Sequence, residues 1–297
     1  MNKLGRFLNK VLAVLVLIVI VFALYLLLAR PYQLHWGATP EDIQRSMPGD
    51  ELDSAPTFLA TRAITIEGTP EEIWPWLIQM GYNRAGFYGY DILENLGSST
   101  GMLSADRILP EFQDLAVGNE VPISSVAKMT FYAIEPGQYL VWAGNENSAP
   151  GGFTWALYPI DASHTRLVSR IRWSHHWTEP SLIGLDLFTE FTDHLAVRKI
   201  LQGVKGRVEG QVEPMMQGNI EFLIYLASLL AFLGSILWML IRPLTWKGWL
   251  AGLAAGVAWL ITWYSPISIW IGLVLEILVI WNLIATFSRS STAHRVS

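Results

Sequence analysis

The chain contains no cysteine. That excludes disulfides, zinc–thiolate centres and a thiol nucleophile. Charge is also scarce, at 15% of residues, and the balance of 20 Lys and Arg against 25 Asp and Glu leaves a net charge of −5. Nucleic-acid binding needs a basic footprint, and this composition does not provide one. The GxSxG elbow, the P-loop, the GxGxxG turn and the HExxH pair are all missing, so common hydrolase, nucleotide and zinc-protease signatures drop out. Apolar residues, by contrast, make up 52% of the chain, and 14 of the residues are Trp. This composition fits a membrane protein that carries a globular insert.

The apolar residues are concentrated in runs. Val11 to Leu28 is uncharged and long enough to cross a bilayer. It is preceded by Lys3, Arg6 and Lys10 and ends at Ala29-Arg30-Pro31, which is longer than the apolar region of a cleaved signal. A retained anchor is expected. Three further spans are expected at about Ile220–Ile241, Trp249–Tyr264 and Ile267–Phe287, giving four transmembrane α-helices. Arg242, Lys247, Arg289 and Arg295 flank these spans. Positive residues favour the cytoplasmic side. Both termini are therefore expected in the cytoplasm of a multi-pass cell-membrane protein, with the middle domain extracytoplasmic. Gly248, Gly252 and Gly256 recur every four residues, a smooth stripe suited either to packing among the chain's own helices or to a homo-oligomer. Glu276 falls inside the last span, where an ionisable group is a functional candidate unless a hydroxyl or indole satisfies it.

Between the spans the pattern changes. The expected organisation is an anchor (1–30), a polar lead-in (31–57), a globular domain (58–212), a three-helix membrane region (218–288) and a cytoplasmic tail (289–297). Thr61–Glu67 alternates as a strand with Ile64 and Ile66 on one face. Thr39-Pro-Glu-Asp42 and Thr69-Pro-Glu-Glu72 are helix starts, each with a Thr N-cap, Pro in the first turn and acids at the positive end. Met129–Ile134, Tyr139–Ala143, Phe153–Ile160 and Thr165–Trp173 read as strands separated by turns, the spacing of antiparallel hairpins. Pro180–Glu209 reads as one long helix with Leu187, Phe191, His194, Val197, Leu201, Val204 and Val208 on one stripe. An antiparallel sheet around a long C-terminal helix is an α+β helix-grip arrangement.

Several segments extend this pattern: Trp74-Pro-Trp-Leu-Ile-Gln-Met-Gly81, Arg84-Ala-Gly-Phe-Tyr-Gly-Tyr-Asp91, Leu93-Glu-Asn95, Arg107–Leu115 and Val117–Val121. Together with the element order, they resemble a bacterial, membrane-associated subgroup of the START-like (SRPBCC) superfamily, over about residues 55–210. The resemblance implies a cavity for a hydrophobic ligand. It supplies no catalytic residues.

The ligand-binding candidates are Arg84, Phe87, Tyr88, Tyr90, Asp91, Asn95, Trp142 and Trp155, an aromatic wall with a few polar groups. Arg84 also reads as a brace on Asp91 or Glu94, and Arg107 as a brace on Glu111. Trp142, Trp155 and Trp173 read equally as core. Arg166, Arg170 and Arg172 share one strand face, suited to holding an anionic group but expected to be a solvated outer face. The acid/base candidates are Asp91, Glu94 and His194. His175-His176 lacks metal-ligand spacing, and no metal or cofactor is expected. The functional expectation is a membrane-anchored module that binds a lipid or another hydrophobic small molecule at the bilayer surface. The alternatives are a cyclase/dehydrase-like enzyme and a ligand-free regulatory or structural subunit.

Overall fold

The uncharged run near the N-terminus folds as helix α1 (Lys3–Leu24), which passes through a π-helical turn (Tyr25–Ala29) into α2 (Arg30–Leu34). The computed structural model describes residues 3–95, 103–144, 151–265, 268–279 and 281. The chain divides into two units, Gln33–Asn219 and a second made of Met1–Tyr32 with Ile220–Ser297.

In the first unit, α3 (Pro40–Gln44) starts at a capping box in which Thr39 and Asp42 satisfy each other's amides. After β1 (Phe58–Glu67), α4 (Pro70–Ile78) repeats the device with Thr69 and Glu72. A short α5 (Asp91–Glu94) and an edge strand β2 (Glu120–Pro122) precede the meander. The meander comprises β3 (Lys128–Glu135), β4 (Tyr139–Ala143), β5 (Gly151–Pro159) and β6 (His164–Trp173). The long α6 (Pro180–Val208) closes the unit. All strand pairs are antiparallel, in the order β1-β6-β5-β4-β3-β2. The expected strands and the long helix are present. Among the strands of the described residues, β2, three residues long, is the one not expected from the sequence. Residues 145–150 of the expected β4–β5 turn lie outside the described residues.

Alternation along the strands separates the two faces of the sheet. Ile66, Leu140, Trp142, Trp155 and Leu167 point to the helix side, where Val197, Leu201 and Val204 of α6 complete a buried core. This is a helix-grip-like sheet.

The opposite face is not solvated as expected. Arg170 donates to the carbonyls of Asp42, Ile43 and Arg45 at 2.8, 3.1 and 2.8 Å and to the Asp50 carboxylate at 2.9 Å. Arg166 pairs with Asp42 at 2.6 Å, and Arg172 pairs with Asp50 at 3.2 Å and donates to the Asp53 carbonyl at 2.7 Å. These arginines bind residues 37–53 across the outer face, over a small core of Met47, Ala63, Ala156 and Val168. A polar-looking lead-in thus supplies the backbone acceptors that a row of arginines needs, a match invisible to periodicity.

The α6 stripe also departs from expectation in its first half. Leu187 is 40% exposed, while Asp186, Glu190 and Asp193 are buried. Each acid meets a partner on the buried side: His176 for Asp186, His175 for Glu190 and Arg62 for Asp193.

In the second unit, the N-terminal helix and α7 (Met215–Ile241) are long and apolar enough to cross a membrane. These are two candidate spans among the described residues, not the expected four. The third, α8 (Trp246–Tyr264), has 19 residues, but four Trp, Lys247 and the glycine stripe dilute its apolar character. Of the expected fourth span, the described residues hold the apolar helix Ile269–Val279, and most of the residues after it lie outside them. Residues 282–297, which carry Arg289 and Arg295, lie outside the described residues.

The glycine stripe is taken up within the chain. A Cβ on Gly252 would meet Met239 at 3.0 Å and Leu17 at 3.1 Å, and one on Gly256 would meet Val21 at 2.6 Å. It is therefore a helix-packing seam of this unit rather than an open face for a second copy. Glu276 is buried, and neither carboxylate oxygen has the expected hydroxyl or indole partner among the described residues.

Candidate functional site

The segment between α4 and β2 turns sharply before it reaches α6. Gly81 and Gly86 bridge each other through paired backbone hydrogen bonds of 3.1 Å. Two residues later Tyr88 adopts φ +64°, the left-handed region that aromatic side chains rarely enter. Such a conformation persists only where its surroundings over-determine it.

Here Tyr88 is held through its amide, its hydroxyl and the amides on either side of it. Its amide donates to Ser104 Oγ at 3.0 Å. Its hydroxyl donates to the Trp76 carbonyl at 3.0 Å and accepts from Gln79 Nε2 at 2.9 Å. The amides on either side, Phe87 and Gly89, both donate to the Glu94 carboxylate at 3.0 Å. The Arg207 guanidinium lies over the Tyr88 ring, 4.2 Å from its centroid. Burial pushes the Tyr88 phenol up. It also pushes the Glu94 carboxyl up to about 7, against the opposing pull of the Phe87 amide and with a further push from Asp91.

The sequence-predicted residues separate into three groups. Asp91 lies beside Tyr88, accepting from the Ser104 amide at 3.0 Å and the Ser104 hydroxyl at 2.7 Å. Asn95 donates to the Asp91 carbonyl at 2.8 Å, which fastens the end of α5. Tyr90 is buried, with Lys199 Nζ 5.4 Å from its ring centroid.

Arg84 does not brace Asp91 or Glu94. It donates to the Ile78 carbonyl at 2.9 Å and covers the Phe112 ring at 4.6 Å, because the Gly81–Gly86 turn aims it back toward α4. Arg107 and Glu111 form no ion pair. Arg107 enters through its carbonyl, which accepts from Gln79 at 3.2 Å.

Phe87, Trp142 and Trp155 belong to the grip interior. Trp142 packs against Phe87, Phe131, Phe153 and Trp155 with centroids 5.8–6.3 Å apart. His194 lies in neither place. It is buried on α6 near Arg62, and burial lowers its pKa well below the usual imidazole value, with the Arg198 and Arg62 charges adding to the effect.

A cleft of about 360 Å³ opens where this loop, the C-terminal half of α6 and residues 211–219 meet. Tyr88, Asp91 and Asp106 contribute from the loop, Lys199 and Arg207 from α6, and Met215 and Asn219 from the start of α7. Lys199 also pairs with Glu213 at 2.7 Å. Both signs of charge therefore line one cleft, and Gly203 and Gly206 keep its α6 wall low.

Sequence reasoning missed Ser104, Gly203, Gly206 and Arg207. The i, i+3 glycine pair inside an otherwise regular helix was the available signal, since such a pair marks a close approach. Among the described residues no group of three or more His, Asp or Glu side chains is placed to hold a metal ion.

No family model matches the chain, and no curated protein matches it. Solved structures do align with it. Protein MLL2253 from Mesorhizobium loti shares 14% identity over 52% of this chain and 100% of its own, with a TM-score of 0.32. CalU16 from Micromonospora echinospora shares 13% over 55% of this chain and 82% of its own, at 0.29. The Aha1 dimer from Colwellia psychrerythraea shares 13% over 52% and 98%, at 0.29. Scores this low carry no argument, so the fold rests on its own strand order and helix packing.

Proposed function

We propose that the chain is a membrane-anchored binding module that holds a lipid, or another hydrophobic small molecule with a polar head, at the bilayer surface. The observation that carries this reading is the composition of the cleft wall. The charged cleft is completed by Met215 and Asn219, at the start of the same apolar helix that is long enough to cross a membrane. Lys199, Arg207, Asp91 and Asp106 suit a head group that offers both donors and acceptors. Affinity comes from burying the apolar part, at roughly 25 cal/mol per Å² removed from water. Lys3, Arg6 and Lys10 precede the first span and Arg242 and Lys247 follow α7. By the positive-inside tendency this orientation puts the Gln33–Asn219 unit outside the cytoplasm.

Native mass spectrometry of the detergent-purified full chain, followed by organic extraction, tests the reading. A defined amphiphile should co-purify with the wild type and be lost from Q202W, which fills the cleft from an exposed position on α6. Equal retention by both proteins, or none by either, would remove the cleft from consideration.

A second reading, a regulatory or structural subunit with no ligand, draws on the grip interior. There the four rings around Trp142 occupy the space in which a START-like cavity was expected. An enzyme of the cyclase/dehydrase type has less support, because Asp91 and Glu94 accept hydrogen bonds from their own loop and His194 belongs to a separate cluster.

A further inference from the structure

The first half of α6 is inside out for a helix in water. Between Pro180 and Thr192 its only charged residues are Asp186 and Glu190, and both are buried. The exposed side carries Leu185 at 60% and Phe188 at 55%, with Leu187 at 40% beside them. Trp177, 53% exposed, stands just ahead of the helix and stacks on His175 at 4.8 Å.

Both threonine hydroxyls of this stretch are turned inward. Thr189 Oγ1 donates to the Leu185 carbonyl at 2.9 Å and Thr192 Oγ1 to the Phe188 carbonyl at 2.8 Å, so neither hydroxyl hydrogen needs water. The acids are drawn to the other side by specific partners. The His176 amide donates to Asp186 at 2.6 Å, and His175 Nε2 lies 3.3 Å from Glu190. The result is an uncharged apolar face about 20 Å long, at about 1.5 Å per residue, with an indole at one end.

We infer that this face of α6 is a lipid-contacting surface that lies in the interfacial region of the bilayer. A bilayer is the fitting occupant because the unit enters from one apolar helix ending at Leu34 and leaves into another starting at Met215. Its exposed surfaces therefore meet lipid at high local concentration. Interfacial helices bury an apolar face to a depth of roughly 5–10 Å, and Trp is enriched at that level. The inference rests on the membrane-anchored part of the proposed function and not on the cleft.

The absence of native cysteine makes the test direct, since L185C, F188C and A162C each introduce a single thiol. Ala162 sits on the exposed turn between β5 and β6. The full chain is labelled with an environment-sensitive fluorophore and reconstituted in phosphatidylcholine/phosphatidylglycerol vesicles, with and without nitroxide-bearing lipid. Labels at 185 and 188 should shift to the blue and lose emission to the nitroxide lipid, while the label at 162 keeps its aqueous spectrum. Aqueous spectra at 185 and 188 without quenching overturn the inference. So does a blue shift that nitroxide lipid leaves intact while L185C cross-links between copies, which would assign the face to a second molecule. Retention in the membrane after an alkaline carbonate wash is scored in parallel, so loss of anchoring is distinguished from loss of this contact.

Discussion

Gly203 on α6 and Tyr88 on the loop above it are in contact that no side chain could share. A Cβ on Gly203 would stand 2.1 Å from the Tyr88 carbonyl oxygen and 2.7 Å from its Cβ. G203A must therefore push the strained loop away from the helix, and overpacking of this kind costs about 1–3 kcal/mol. G184A serves as the counterpart, because nothing lies within 4 Å of a Cβ there. It should raise stability by roughly 0.5–1 kcal/mol through the ordinary helix preference for Ala. Urea titration of the detergent-solubilised protein, followed by tryptophan fluorescence, reads both. Equal midpoints for G203A and the wild type would show that the loop does not depend on this contact.

Glu94 gives the same loop a pH dependence. Its carboxyl is held up at about 7, mainly by burial, against an ordinary value of 4.5. As pH rises from 4.5 to 7, the unfolded chain loses this proton first. The group's contribution to stability therefore falls across that window and is constant above it. The full change is on the order of 3 kcal/mol, at about 1.4 kcal/mol per pH unit. E94Q cannot titrate, so its stability should vary less between pH 4.5 and 7 than that of the wild type. It should also lose about 1–3 kcal/mol near pH 5, because an amide nitrogen cannot accept from Phe87 or Gly89. Parallel pH profiles for the two proteins would contradict this account.

How far these features were legible in the sequence depends on the range of the interaction. Capping boxes at Thr39 and Thr69, alternation in the strands and the 3.6-residue stripe in the second half of α6 are local patterns, and the fold followed from them. The Arg84–Asn95 stretch was recognisable as special from its glycines and aromatics. Its partners were not, because Ser104, Gly203 and Arg207 reach it only through tertiary contact. Charge pairing misled for the same reason. Arg84 satisfies carbonyls rather than the acids near it in sequence, and Arg170 draws most of its acceptors from the backbone of the lead-in. The first half of α6 hid its polarity inversion because its partners lie far away in the chain, at Arg62 on β1, or on the connector before the helix.

The buried pair of Arg62 and Asp193 tests that inversion. Nη1 lies 2.5 Å from the carboxylate, with side chains 1% and 6% exposed, and Arg62 Nε also donates to the Gln33 carbonyl at 2.8 Å. Burial pushes the Asp193 carboxyl up while Arg62 pulls it down. D193A strands a buried guanidinium and should cost about 3–5 kcal/mol. The double replacement R62M/D193L removes both charges and should recover most of that loss, while the Gln33 carbonyl loses the donor that Arg62 supplies. Thermal unfolding of the three variants separates the cases. A double variant as unstable as D193A would mean that the pair contributes shape rather than charge compensation.

Arg170 decides whether the lead-in stays on the sheet. Its guanidinium reaches five groups, with Nε on Thr61 Oγ1 at 3.0 Å and the remaining donors on the Asp42, Ile43 and Arg45 carbonyls and the Asp50 carboxylate. R170K keeps the charge but replaces a planar fork with a single ammonium, which cannot serve acceptors spread this widely. At least one buried carbonyl is then left without a donor, at a cost of about 1–3 kcal/mol. The strap should loosen before the sheet does, because Arg170 alone ties three of its backbone carbonyls to β6, while the sheet is held by its own ladder of backbone hydrogen bonds. Arg45, whose guanidinium sits 4.0 Å over the Tyr158 ring in the intact protein, then becomes available to trypsin. Limited proteolysis of folded R170K should cut after Arg45 faster than in the wild type, with the 58–212 core left intact. Unchanged cleavage would mean that Arg166 and Arg172, through Asp42 and Asp50, hold the strap without it.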